Sequence, residues 1–184
     1  MKKNVCVLVA DGSEEMEVVI VADVLRRAGI GVFLAGVGDS RLVTASRGVR
    51  LAPDGVWDSA EANRFDALVI PGGIGGTQIM REEASVKHAV REFLREGKIV
   101  AAICAGPTVL HEAGVLGGRR FTSHPGSREE LPAGSWLDQP VVRDGNLLTS
   151  QAPGTAFAFA LALVETLVSA EAAQKVAAGM LVAR

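Results

Sequence analysis

The sequence predicts an α/β fold: a mostly parallel sheet with helices packed on both faces. Three observations carry that prediction. Short β-branched runs alternate with longer helical patterns along the chain, which is the order that builds βαβ units. The strand runs are apolar throughout, as strands covered on both faces are. A length of 184 residues with 48% hydrophobic content suits one globular domain spanning 1–184.

The elements follow in order. Val5 to Ala10 reads as a buried strand. Asp11-Gly12-Ser13 is a turn, and Glu14 to Ala28 a helix. Its acids come first, Arg26 and Arg27 come last, and Gly29 lies just beyond, the charge order that suits the helix dipole. The middle of this helix is apolar nearly all round, so the sheet covers one side and something else the other. Ile30 to Ala35 is a second strand, and Leu42–Ala45 and Val49–Leu51 are short strands around a turn near Arg47-Gly48. Ala67 to Ile70 is a buried strand that ends in the Gly-rich segment Pro71-Gly72-Gly73-Ile74-Gly75-Gly76, in which Pro-Gly-Gly is strong turn chemistry. Ala84 to Glu96 is an amphipathic helix with Val86, Val90, Phe93 and Leu94 on one face.

A strand from Ile99 then stops at Cys104. Ala105-Gly106-Pro107 follows, and a helical pattern runs from Thr108 to Ala113. Further on, Phe121 to Pro125 reads as a short strand and turn, and 141–150 as a hairpin around Asp144-Gly145-Asn146. Pro153-Gly154-Thr155 opens a helix to Val168, and Ala170 to Met180 is the last helix.

The Cys104 corner carries most of the chemistry. A side chain at a strand-to-helix corner stands over the sheet edge, amid the amides that open the helix. Those amides favour a thiolate. The same geometry exposes the serine of a nucleophile elbow, so the residues alone leave esterase-like, protease-like and amidotransferase-like readings open. In open parallel sheets, sites gather beyond the carboxyl ends of the strands. Two other strand ends offer partners. Glu17 sits at the margin of the buried helix, where a carboxylate beside a cysteine has a raised pKa and can carry a proton. Glu14 and Glu15 read as helix-capping acids. Gly72-Gly73 permits close backbone approach, with amides available to an oxyanion. His124, in a loop before Pro125, is a better candidate than His88, on the polar face of a helix, or His111, a mid-helix residue that reads as structural or surface. Cys6 alternates with valines and reads as core.

Several classes are disfavoured. A net charge of −2 without a basic stripe argues against nucleic acid as a main partner. Pro-Gly-Gly matches neither a Walker loop nor a dinucleotide fingerprint. Two cysteines and three scattered histidines offer no zinc-ligand spacing and no disulfide framework. No apolar run is long enough to span a membrane. The N-terminus lacks a cleavable signal pattern, so a cytoplasmic location is expected.

Together these segments resemble a known family. Asp11-Gly12-Ser13-Glu14-Glu15-Met16-Glu17, Val69-Ile70-Pro71-Gly72-Gly73, Ala101-Ala102-Ile103-Cys104-Ala105-Gly106-Pro107, His124-Pro125 and Leu148 to Thr155 occur in that order. In this the chain is similar to the ThiJ/PfpI superfamily, in the branch of the parkinsonism-associated protein deglycase and its bacterial YajL relatives. The resemblance implies a flavodoxin-like three-layer sandwich and a homodimer with the first helix in its interface. It makes Cys104 the nucleophile, Glu17 its protonated carboxyl partner and His124 a third group. The amides of Gly73 and Ala105 match the oxyanion position, while Arg27 and Arg47 match residues that help bind small anions across the dimer. Protease-like members carry a histidine where this chain has Ala105. Amidotransferases need a late His-x-Glu pair, whereas His124 precedes Pro125-Gly126. Both readings weaken.

The expected function is a cofactor-free, metal-free glyoxalase or deglycase acting on methylglyoxal, glyoxal or their early protein adducts, with a 2-hydroxy acid as product. The alternative is an oxidative-stress sensor or chaperone that works through oxidation of Cys104.

Overall fold

In a computed structural model, residues 2–38, 41–132 and 135–182 are described. Strand β1 (Asn4–Val9) leads into helix α1 (Glu15–Arg27) and strand β2 (Gly31–Gly36). A small antiparallel pair, β3 (Val43–Thr44) and β4 (Arg50–Leu51), precedes the two-residue strand β5 (Gly55–Val56). A 3-10 turn over Ser59–Arg64 leads to β6 (Ala67–Ile70), followed by α2 (Ile74–Glu82) and α3 (Ala84–Arg95). Strand β7 (Ile99–Ile103) feeds α4 (Pro107–Glu112). A 3-10 segment (Pro125–Glu130), the hairpin β8 (Val141–Asp144) and β9 (Leu147–Ser150), and helices α5 (Ala156–Leu167) and α6 (Ala170–Gly179) complete the chain.

Seven strands form one sheet in the order β5-β2-β1-β6-β7-β9-β8. Every pairing is parallel except β8 with β9. The sheet is therefore the mostly parallel, two-sided one that the sequence implies, in a flavodoxin-like arrangement. The period of two sorts its side chains. Cys6, Leu8 and Ile70 face one apolar layer with Val90, Phe93, Leu110 and Phe121. Val5, Val7, Val69 and Ile103 face the other, with Leu25, Phe159 and Leu163. Helices α2, α3 and α4 cover the first face, and α1, α5 and α6 the second.

The first helix follows its sequence signals. Glu14 caps it by accepting from the Met16 amide at 3.4 Å. Arg26 and Arg27 close its last turn, and Gly29 follows with φ 76°. Val18, Val21, Val24 and Leu25 are buried against the sheet and α5, while Met16 and Val19 remain 53% and 50% exposed.

The Pro71-Gly72-Gly73 turn is followed at once by α2, which begins at Ile74 and has no counterpart among the elements expected from the sequence. Glycines in its first turn hide the helical period, and packing accounts for them. A Cβ on Gly76 would lie 2.5 Å from Ser13 Oγ, and one on Gly12 2.9 Å from Gly75 Cα. The helix thus starts backbone-to-backbone against the β1–α1 turn. The strand read around Phe121 is reduced to a single bridge between Phe121 and Trp136. No helix among the described residues is long and apolar enough to cross a membrane.

Candidate active site

Beyond the carboxyl ends of the neighbouring strands β1, β6 and β7 lies a cavity of about 1050 Å³. Its lining includes Cys104, Ala105, Gly73, His124 and Arg47. Strands β1, β6 and β7 deliver Glu17 (through the turn and first turn of α1), Gly72-Gly73 and Cys104 respectively. This is the convergence that three neighbouring parallel strands produce.

Cys104 occupies a left-handed backbone position, with φ 63°. A left-handed backbone is uncommon for a residue with a Cβ, and here hydrogen bonds from both sides hold it. The Cys104 amide donates to the Ser150 carbonyl at 3.0 Å, and its carbonyl accepts from the His124 amide at 2.9 Å. Gly106 cannot be larger, because a Cβ there would lie 2.5 Å from the Ile70 carbonyl oxygen.

Glu17 is fully buried. Its Oε2 accepts from the Gly72 amide at 2.6 Å, and its Oε1 has no hydrogen-bond partner among the described residues. Cys104 lies beside the same carboxyl. A Cβ built on Gly72 would lie 2.8 Å from Glu17 Oε2 and 2.9 Å from Cys104 Sγ, so carboxyl and thiol flank the same point. Burial pushes the Glu17 carboxyl up to about 7, against the pull of the Gly72 amide and of Cys104. Burial and the charge of an ionised Glu17 push the Cys104 thiol up to about 12, while the Ala105 and Gly73 amides pull it down. The helix-opening amides are therefore present, as expected from the sequence, but alone they do not outweigh burial. Part of that rise comes from the charge of an ionised Glu17 and is removed when Glu17 is protonated. The like-charge repulsion then disappears and the carboxyl O–H can donate to sulfur.

Gly72 has a different role from the expected one. Its amide is committed to Glu17, so it anchors the acid rather than offering a donor to an oxyanion. The Gly73 and Ala105 amides are the ones directed at the sulfur. Gly73 adopts φ 88° and packs so tightly on the Gly12–Glu14 turn that no side chain fits there.

His124 is exposed and lines the cavity. Its Nδ1 accepts from the Gly126 amide at 3.0 Å, which places the proton of the neutral ring on Nε2. Arg47 reaches the cavity through a tether that the sequence reading missed. Glu15, a capping acid by its place in the sequence, is buried. It accepts from the Ser46 hydroxyl at 2.9 Å and from the Arg47 amide at 3.0 Å. Burial raises its carboxyl, but these hydrogen bonds and those of backbone amides outweigh that and hold it below the ordinary range. The signal was a run of three acids where a cap needs one. Arg27 is not brought to this cavity within one chain. It pairs with Asp23 at 2.6 Å and borders a separate hollow beside Lys175 on α6. Among the described residues, no group of three or more His, Cys, Asp or Glu side chains is arranged to hold a metal.

The comparisons agree with this geometry. The model of the DJ-1/PfpI family matches residues 3–166. The Drosophila melanogaster protein dj-1beta is 45% identical over 185 residues, covering 100% of this chain and 99% of the relative. The crystal structure of Drosophila DJ-1beta superposes with a TM-score of 0.95 at 46% identity, covering 100% of both chains. A Caenorhabditis elegans relative, named glutathione-independent glyoxalase DJR-1.2, is 36% identical over 90% of this chain and 89% of its own. With the cysteine elbow, the buried acid and a sheet that matches across the whole length, this chain belongs to the DJ-1/PfpI family.

Proposed function

We propose that this protein is a cofactor-free glyoxalase, extending to early aldehyde adducts in the manner of a deglycase. The observation that carries the reading is the buried Glu17 carboxyl set against Cys104, with the Gly73 and Ala105 amides on the sulfur. A relative named as a glutathione-independent glyoxalase supports it.

The Cys104 thiolate adds to the aldehyde carbon of methylglyoxal and gives a hemithioacetal. The Gly73 and Ala105 amides hold the developing oxyanion. Glu17, a group titrating near neutrality because it is buried, moves a proton between the two carbons through an enediol, and His124 assists at the cavity wall. The resulting thioester takes up water and releases lactate, and the thiol is restored. Arg47 offers a cation at the cavity, suited to the carboxylate of the product. Arg27 joins such a site only from a second copy. The exposed Met16 and Val19 on α1 provide an apolar face for a homodimer.

The test is conversion of methylglyoxal to lactate by the purified protein and by Cys104→Ser. Turnover by the wild type and background rates for the variant are expected. Full activity in the variant would overturn the mechanism.

A second reading rests on the same pair: oxidation of Cys104 to a sulfinate that the protonated Glu17 stabilises by hydrogen bonding through the unpartnered Oε1. Intact-mass measurement after mild peroxide separates the two. A clean gain of two oxygens on Cys104 in a protein that makes no lactate favours sensing over catalysis.

A further inference from the structure

We propose that Arg81 is a positioning residue for Cys104, a clasp that fixes Gly73, Ala105 and His124 relative to one another. Three helical segments begin at the site. Gly73 caps α2, the Cys104–Gly106 corner opens α4, and His124 caps the 3-10 segment Pro125–Glu130. Their far ends meet at one side chain. Arg81, in the last turn of α2, donates through Nη2 to Glu112 Oε1 at 2.9 Å and through Nη1 to Glu130 Oε2 at 2.8 Å. Glu112 is the final residue of α4, and Glu130 the final residue of the 3-10 segment.

One guanidinium thus ties together the outer ends of all three segments whose inner ends present the site groups. The planar fork of arginine fixes two carboxylates in one geometry, which a lysine ammonium does not. The hydrogen bond from Arg81 is the largest influence holding the Glu112 carboxyl below its ordinary range, so that arm stays charged at neutral pH. The lever is short. Helix α4 has six residues, about 9 Å of rise, so a shift at Glu112 reaches the Ala105 amide with little to absorb it. The His124 amide, in turn, bonds the Cys104 carbonyl directly. Arg81, Glu112 and Glu130 also line the same cavity. A direct contact of Arg81 with substrate is therefore the rival account, and the experiment separates the two.

The proposal rests on Cys104 being the reacting group, so its first readout is independent of turnover. Alkylation of Cys104 by iodoacetamide is followed across pH by intact mass, with Cys104→Ser as the blank. Cys6 is fully buried and does not compete. In Arg81→Met the Gly73 and Ala105 amides are released from the sulfur, and alkylation at neutral pH is expected to slow about fivefold while the thermal midpoint moves little. The Glu112→Gln/Glu130→Gln double variant is expected to match it, and adding Arg81→Met to that pair to cause no further loss. Arg81→Lys is expected to fall between. With methylglyoxal, kcat is expected to drop in the same proportion at constant KM. Unchanged or faster alkylation overturns the proposal, as does a rise in KM alone, which would make Arg81 a substrate contact. If the wild type makes no lactate, the alkylation arm still decides the clasp, and only the glyoxalase reading fails.

Discussion

The middle of the sheet and its carboxyl edge each hold one cysteine, and the two thiols differ in kind. Cys6 lies inside β1, fully buried among apolar side chains, and burial pushes its thiol up to about 12. Cys104 is pushed equally high, but part of the cause is the charge of a neighbouring carboxylate. A shift caused by burial is fixed by the fold. A shift caused by an ionised neighbour is removed when that neighbour takes up a proton. Burial is the larger cause at both thiols, but among the described residues it is Cys104, and not Cys6, that has a carboxylate beside it whose protonation takes part of the rise away.

The sharpest way to break that contrast is to remove the proton carrier. In Glu17→Gln the amide oxygen still accepts from Gly72, but no proton can pass to or from the reacting carbons. A loss in kcat of about 10²–10⁴-fold is expected, together with loss of the limb of the pH–rate profile near neutrality. The same variant reads the stability side. Glu17 titrates near 7 in the fold against an ordinary 4.5, so the native state prefers the protonated acid. Native stability falls as pH rises from the ordinary value through the folded one. Glu17→Gln lacks this penalty. Its thermal midpoint is expected to exceed that of the wild type at pH 8 and to converge with it toward pH 5. A constant gap across pH would show that Glu17 ionises as freely in the fold as in the unfolded chain.

A smaller effect is expected from Gly72→Ala. The added methyl would lie 2.5 Å from Cys104 Cβ and 2.8 Å from Glu17 Oε2. It drives the pair apart and is expected to cost about 10²-fold in turnover. A variant with full activity and an unaltered pH profile would mean that carboxyl and thiol need not touch. Least of all is expected from Cys6→Ala. It removes one buried sulfur and costs about 1 kcal/mol in urea unfolding, with turnover unchanged. A collapse of activity there would end the distinction between the two thiols.

Much of this was legible in the sequence. The strand ends at Ala10, Ile70 and Ile103 were marked by turn residues, and the parallel order places them side by side. Cys104 and Glu17 could be singled out because a cysteine closing an apolar strand and an acid entering an apolar helix are both out of place. Helix α2 was not legible, since Gly75 and Gly76 weaken its local propensity and only their contact with Gly12 and Ser13 explains them. Glu15 was missed because a first-turn acid already has a sufficient local explanation. Its bonds to Ser46 and Arg47 span about thirty residues, a separation over which no periodicity speaks. The identity of the Gly72 amide as an anchor was hidden for the same reason.

The tight seam between the Gly12 turn and the first turn of α2 has a consequence for anyone redesigning this cavity. A methyl group on Gly12 or Gly76 would lie 2.9 and 2.5 Å from the facing atoms, so the floor around the sulfur cannot be reshaped by adding side chains at those two positions. New specificity must be introduced from the rim, at Gln78, Glu82 or Ser127, where side chains already border the opening. The reactive end is cast as bare backbone, and diversification among variants of this chain belongs to the outer wall.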